Sequence, residues 1–83
     1  MKIRYFAWIR QRTGLDSEDV VTPDEVVDVA GLLEWLKGRN PGFAEALADF
    51  DSIRVAVNQE FAELDAPVAQ GDEVAIFPPM TGG

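Results

Sequence analysis

The last seven residues, Phe77-Pro78-Pro79-Met80-Thr81-Gly82-Gly83, join an apolar, strand-forming run to a terminal carboxyl group. Two glycines carry no Cβ, so the tip fits a channel that rejects any side chain. Pro78 and Pro79 fix two φ angles and remove two amide donors, which stiffens the segment behind the tip. A stiff stalk with a thin end makes the carboxyl of Gly83 the candidate reacting group and Gly82 its means of access. Taken alone, a Gly-Gly end fits a flexible terminus or an expression scar equally well.

The rest of the chain offers little competing chemistry. There is no cysteine, hence no disulfide, thiolate metal site or cysteine nucleophile. There is no histidine either, which removes the usual general base and the commonest metal ligand. Both absences point away from an autonomous enzyme, although carboxylates alone serve some reactions. Fifteen acids against seven bases give a formal net charge of −8. Nucleic acid is a poor partner for such a surface, whereas an electropositive protein suits it. Lys2 and Lys37 are too few and too scattered for a phosphate site. No run of about eighteen apolar residues occurs, so no transmembrane helix is expected. The alternating start does not read as a signal peptide, and the expected location is the cytoplasm.

The elements that must hold the tail follow from periodicity. With 83 residues, 47% of them hydrophobic, the chain suffices for one modest core. Residues 2–10 alternate, with Ile3, Tyr5, Ala7 and Ile9 on one side and Phe6 and Trp8 on the other. This predicts a strand. The turn-rich Thr13-Gly14-Leu15-Asp16-Ser17 follows. A short strand over Glu18-Asp19-Val20-Val21-Thr22, ended by Pro23, completes a predicted hairpin. Asp28 is a candidate N-cap for a helix carrying Val29, Leu32, Leu33 and Leu36 on one stripe. Gly38 and Pro41 stop it. A further helical turn or two is expected over Phe43-Ala44-Glu45-Ala46-Leu47-Ala48. Strands are predicted at residues 53–57 and 73–77, with a brief one at 61–64 and turns at Asn58-Gln59-Glu60 and Gln70-Gly71-Asp72. The order β-β-α-β-(β)-β is an α+β layout that fits a β-grasp, ubiquitin-like fold, a mixed sheet with one main helix on one face. The first and last strands are then parallel neighbours. Residues 1–78 are expected to form the domain and residues 79–83 the reactive tail.

Val57-Asn58-Gln59, Gly71-Asp72-Glu73-Val74 and the closing Phe77-Pro78-Pro79-Met80-Thr81-Gly82-Gly83 together resemble the small subunit of molybdopterin synthase, the sulfur carrier of that enzyme. The opening Tyr5-Phe6-Ala7-Trp8-Ile9-Arg10 is similar to that family's first strand. The likeness spans nearly the whole chain and is weakest over residues 14–27 and 40–52. It implies a protein that carries sulfur as a C-terminal thiocarboxylate. A ubiquitin-activating-type adenylyltransferase, using ATP and magnesium, adenylates Gly83, and a sulfurtransferase supplies sulfur. The tail then enters the large synthase subunit, where cyclic pyranopterin monophosphate becomes the dithiolene of molybdopterin. The chain itself binds no cofactor or metal in this scheme. It is the non-catalytic, sulfur-donating subunit of a heterotetramer with two copies of each subunit, and the active site lies on the large one.

The alternation also predicts a docking face. If Ile3, Tyr5, Ala7, Ile9, Ile53, Val55, Val57, Val74 and Ile76 face the helix, then Phe6 and Trp8 face outward, and Phe6, Ala56, Ala75 and Phe77 form a flat apolar patch with Phe61 at its flank. Exposed apolar patches of that kind mark partner surfaces. Arg10, and less directly Arg4, are candidates for its charged rim. The expected partner-binding set is therefore Phe6, Arg10, Phe61, Phe77, Pro78, Pro79, Met80 and Thr81. Three rivals remain open: a sulfur carrier for thiazole or tRNA thiolation, a ubiquitin-like protein modifier, and an interaction module whose Gly-Gly is incidental.

Overall fold

The computed structural model describes residues 1–39, 41–46, 48 and 52–79. Its elements in chain order are β1 (Lys2–Tyr5), α1 (Ala7–Thr13), β2 (Ser17–Asp19), α2 (Val29–Lys37), α3 (Pro41–Ala46), β3 (Arg54–Val57), β4 (Glu60–Ala62) and β5 (Glu73–Phe77). The five strands form one sheet in the order β2-β1-β5-β3-β4. β1 and β5 run parallel, with Ile3 opposite Val74 and Tyr5 opposite Ile76. The other pairings are antiparallel. One mixed sheet with its helices packed on one side is the expected β-grasp arrangement.

The main helix starts where the sequence places it. The Asp28 carboxylate accepts from the Gly31 amide at 2.8 Å. The Val29 and Ala30 amides donate to Ala66 and Leu64 carbonyls at 3.0 and 2.9 Å. Those three donors lack partners inside a helix, so this cap and the 63–68 loop complete its first turn. Val29, Leu32, Leu33 and Leu36 are fully buried against the inner face of the sheet. Each buried side chain of that size contributes about 1.5–3 kcal/mol of transfer free energy. Ile3, Val55, Val74 and Ile76 meet them from the strands, as the alternation requires.

The strand predicted over residues 2–10 is not continuous. β1 ends at Tyr5, Phe6 remains extended, and Ala7 turns to φ +55° to open α1. Ile9 and Thr13, four apart, form the buried stripe of that helix. Gly14 ends it with φ +78°, its amide donating to the Arg10 carbonyl at 2.9 Å. Ile9 is inward in both a strand and a helix reading, which is why alternation seemed to run on. The two residues before it tell the readings apart. Ala7 is exposed and Trp8 is half-buried against the core, the reverse of the strand expectation. β1 and β2 are antiparallel neighbours, but a helix rather than a turn joins them. β2 comprises Ser17–Asp19 and stops before Val20, and Thr13 belongs to α1.

β3 (Arg54–Val57) and β5 (Glu73–Phe77) keep within one residue of their predicted spans, whereas β4 takes in Glu60, read as turn, and stops at Ala62 rather than at residue 64. Leu47 of the helical turns expected over 43–48 lies outside the described residues. α3 covers Pro41–Ala46, so it starts at Pro41, the residue expected to lie beyond the α2 stop. Asn58 and Gln59 both have positive φ, +52° and +71°, as a tight two-residue hairpin between β3 and β4 demands.

Candidate functional site

The tail leaves the body at the end of β5, which lies between β1 and β3 within the sheet. Phe77 is its last strand residue, opposite Arg54 of β3. Phe77, Pro78 and Pro79 are all half-buried. Met80, Thr81, Gly82 and Gly83, expected to make up the reactive tip, lie outside the described residues.

The sheet face turned away from α2 carries the predicted patch. Arg4, Ala75, Ala56 and Phe61 form one row across β1, β5, β3 and β4. Phe77 and Arg54 form the next row toward the tail. Phe6 continues that row, because its amide donates to the Ile76 carbonyl at 3.1 Å. Phe6 is 40% exposed and Phe61 83%, unusually high values for phenylalanine. The Phe61 and Phe77 rings lie 5.9 Å apart at 52°, a tilted aromatic pair. Two small residues, Ala56 and Ala75, keep the centre of the face flat. Phe6, Phe61 and Phe77 thus meet on one surface at the root of the tail.

The expected basic rim resolves into two different cases. Arg4 lies on the face: its guanidinium sits 5.5 Å over the Phe6 ring and 3.3 Å from the Glu73 carboxylate. Arg10 does not, because residues 7–13 form a helix that packs against α3 rather than a strand. It pairs with Asp16 at 3.3 Å. Arg54, beside Phe77 in the ladder, is a face residue that sequence reasoning passed over. Its place in the alternation of residues 53–57 was the available signal.

The internal motifs position the tail rather than extend the patch. The Asn58 amide donates to the Glu73 carbonyl at 2.7 Å, and the Asn58 side-chain carbonyl accepts from the Glu73 amide at 3.0 Å. The Asn58 side-chain amide reaches the Asp72 carboxylate at 3.0 Å, whose other oxygen accepts from the Ala69 amide at 2.8 Å. Val57-Asn58-Gln59 and Gly71-Asp72-Glu73 are therefore two halves of one clasp. It fixes the start of β5 and, through that strand, the place where the tail emerges. Among the described residues, no group of three or more Asp, Glu, His or Cys side chains converges to hold a metal ion.

Among the described residues one ionisable group is strongly perturbed, at the end of β1 and on its inner side. The Tyr5 hydroxyl is buried and donates to Glu18 at 2.6 Å, and Arg39 donates to the other Glu18 oxygen at 2.7 Å. Burial first, then the hydrogen bond to Glu18 and its negative charge, push the phenol well above its usual range, while Arg39 opposes the shift. The network ties β1, β2 and the segment just after α2 together.

A model of the ThiS family matches residues 3–83. The chain belongs to the ThiS family. It is 36% identical to the molybdopterin synthase sulfur carrier subunit of Escherichia coli K12 over 83 residues, covering all of this chain and 99% of that one. The human protein of the same description is 34% identical over 86 residues, covering all of this chain and 93% of its own. Among solved structures, the small archaeal modifier protein 1 of Haloferax volcanii superposes with a TM-score of 0.79 at 30% identity, covering 95% of each chain. These likenesses support the ubiquitin-like β-grasp assignment and the recognition made from the tail motif.

Proposed function

We propose that this ThiS-family member is the sulfur carrier subunit of a molybdopterin synthase and works in the cytoplasm. The full-length likeness to carrier subunits from bacteria and human carries the reading. The geometry supports it. β5 delivers the stalk from the middle of the sheet, and three aromatic residues surround its root. The sheet face docks on the large subunit while Pro78 and Pro79 direct Met80, Thr81, Gly82 and Gly83 into its active site.

A carboxylate resists nucleophiles through resonance and charge, so the Gly83 carboxyl must first be activated. An adenylyltransferase using ATP and magnesium forms the acyl-adenylate and releases pyrophosphate. Sulfur delivered by a sulfurtransferase displaces AMP and leaves a thiocarboxylate. That sulfur attacks cyclic pyranopterin monophosphate on the large subunit. The resulting carrier–substrate thioester is hydrolysed by water, which leaves the sulfur on the pterin and returns the carrier as a carboxylate; two such transfers complete the dithiolene. This chain supplies the reacting atom and its delivery, and its partners supply acid–base groups, magnesium and pockets.

Reconstitution tests the proposal. The chain, the activating enzyme, a sulfur source, the large subunit and cyclic pyranopterin monophosphate should together yield molybdopterin. Mass spectrometry should show one oxygen replaced by sulfur on the carrier before transfer. Failure to form molybdopterin from a charged carrier that binds the large subunit would reject this destination. A second reading has its own support: a 37% identity over 68 residues to the small archaeal modifier protein 1 of Haloferax volcanii. Under that reading Gly83 becomes joined to lysines of other proteins, and isopeptide adducts would reveal it.

A further inference from the structure

β4 is the outermost strand on the β3 side of the sheet. The register decides which of its backbone groups face the open edge. The Asn58 amide is directed to β5, where it meets the Glu73 carbonyl. Alternation along β3 then sends the polar groups of Ala56 to β5 and those of Val55 and Val57 to β4. Their partners are Ala62 and Glu60. The N–H and C=O of Phe61, between them, therefore point away from β3 to the open edge. Its side chain is 83% exposed on the docking face.

A groove of about 600 Å³ lies alongside, lined by Leu33, Ile53, Arg54, Phe61, Leu64 and Phe77 among others. Leu64 is 45% exposed. Phe61 and Phe77 belong both to this groove and to the docking face, so the two surfaces are continuous. An open edge with an apolar groove beside it invites an added strand. Glu60, Glu63 and Asp65, all exposed, determine what kind of strand fits. A second copy of this chain pairing edge to edge would bring the same three acids against themselves. A basic segment of another protein would find complementary charge.

We propose that the β4 edge receives an extended, basic segment of the large subunit that takes the Gly83 tail. This segment pairs with the N–H and C=O of Phe61 as a sixth strand and seats one apolar side chain between Phe61, Leu64 and Phe77. The proposal rests on the docking reading above and adds a second anchoring site to it. The partner is then held along two sides of Phe61, ring and backbone, which fixes its register relative to the tail.

Amide hydrogen exchange of the labelled chain, alone and with excess molybdopterin synthase large subunit, tests this. The Phe61 amide should exchange rapidly in the free protein and slow at least tenfold, roughly, in the complex. Two variants separate ring from backbone. Phe61→Ala removes the ring and keeps the donor, whereas Phe61→Pro removes both, and an outward amide on an edge strand tolerates proline. Phe61→Pro should bind up to roughly tenfold more weakly than Phe61→Ala, the most that one net hydrogen bond contributes. A complex that forms with the Phe61 amide still exchanging freely overturns the strand pairing and leaves the docking reading intact. Absence of any complex overturns both. Protection of Phe61 that rises with the concentration of the chain alone identifies a second copy as the occupant and also overturns the proposal.

Discussion

Raising the pH above 10 should destabilise this protein through one residue. Tyr5 is the single tyrosine of the chain. It is 2% exposed, packs on Phe43 with ring centroids 4.9 Å apart, and donates to Glu18 at 2.6 Å. A phenolate there would face a carboxylate in a buried site, so the folded protein keeps the proton. An unfolded chain releases it near pH 10. The folded value thus lies above the unfolded one. The stabilisation is fully present below about pH 10 and is lost as pH rises beyond it. The slope is about 1.4 kcal/mol per pH unit, or close to 3 kcal/mol between pH 10 and 12. A chain of this length has roughly 4–12 kcal/mol of stability in all, so the loss is a large share. Urea unfolding at a series of pH values measures the slope, and phenolate absorbance followed beside circular dichroism links it to Tyr5. Phenolate should appear only as secondary structure disappears, and Tyr5→Phe should flatten the added slope. A phenolate titrating near pH 10 in a chain that retains native circular dichroism would refute the reasoning, because Tyr5 would then be accessible in the folded state.

Other expectations concern the tail and its platform. Phe6→Glu should change urea stability by less than about 1 kcal/mol, since Phe6 is a partly exposed position outside the core, yet weaken large-subunit binding more than roughly tenfold; comparable losses in both would make Phe6 a core residue. Asn58→Ala removes both arms of the clasp and should cost about 1–2 kcal/mol in urea unfolding, with faster exchange of the Glu73 amide as its local signature. Gln59→Gly should stabilise the chain by about 1 kcal/mol by relieving a left-handed non-glycine position, and a lower urea midpoint would contradict that. Gly82→Ala should leave thermal unfolding unchanged and remove most sulfur transfer, and deletion of Gly83 should abolish adenylation, as ATP–pyrophosphate exchange would show.

The make-up of the outer sheet face was legible because it depends on strand alternation. Ile3, Tyr5, Val55, Val74 and Ile76 alternate with Arg4, Ala56, Ala75 and Phe77, and each set occupies its own side of the sheet. The β1–α1 junction was not legible. Ile9 satisfies both a period of two and a period near four, and Ala7 takes its left-handed conformation without a glycine to announce it. Misreading that step moved Arg10 onto the wrong layer and inverted Trp8. Arg54 was missed for a different reason: the 53–57 alternation puts it on the outer face, but its place beside Phe77 depends on the register between strands.

The sequence by itself determined the local chemistry. The glycines and prolines of the tail, the Asp28 cap, the leucine stripe of α2 and the Asn58-Gln59 turn act through residues close in the chain, and their reading needs no distant partner. Only the tertiary structure decided what depends on register. It joined Asn58 to Asp72 in one clasp, set Arg54 beside Phe77, and turned the Phe61 backbone to an open edge. A strand slipped by one residue would preserve every local signal and reverse every face, so these placements are fixed by packing across the sheet.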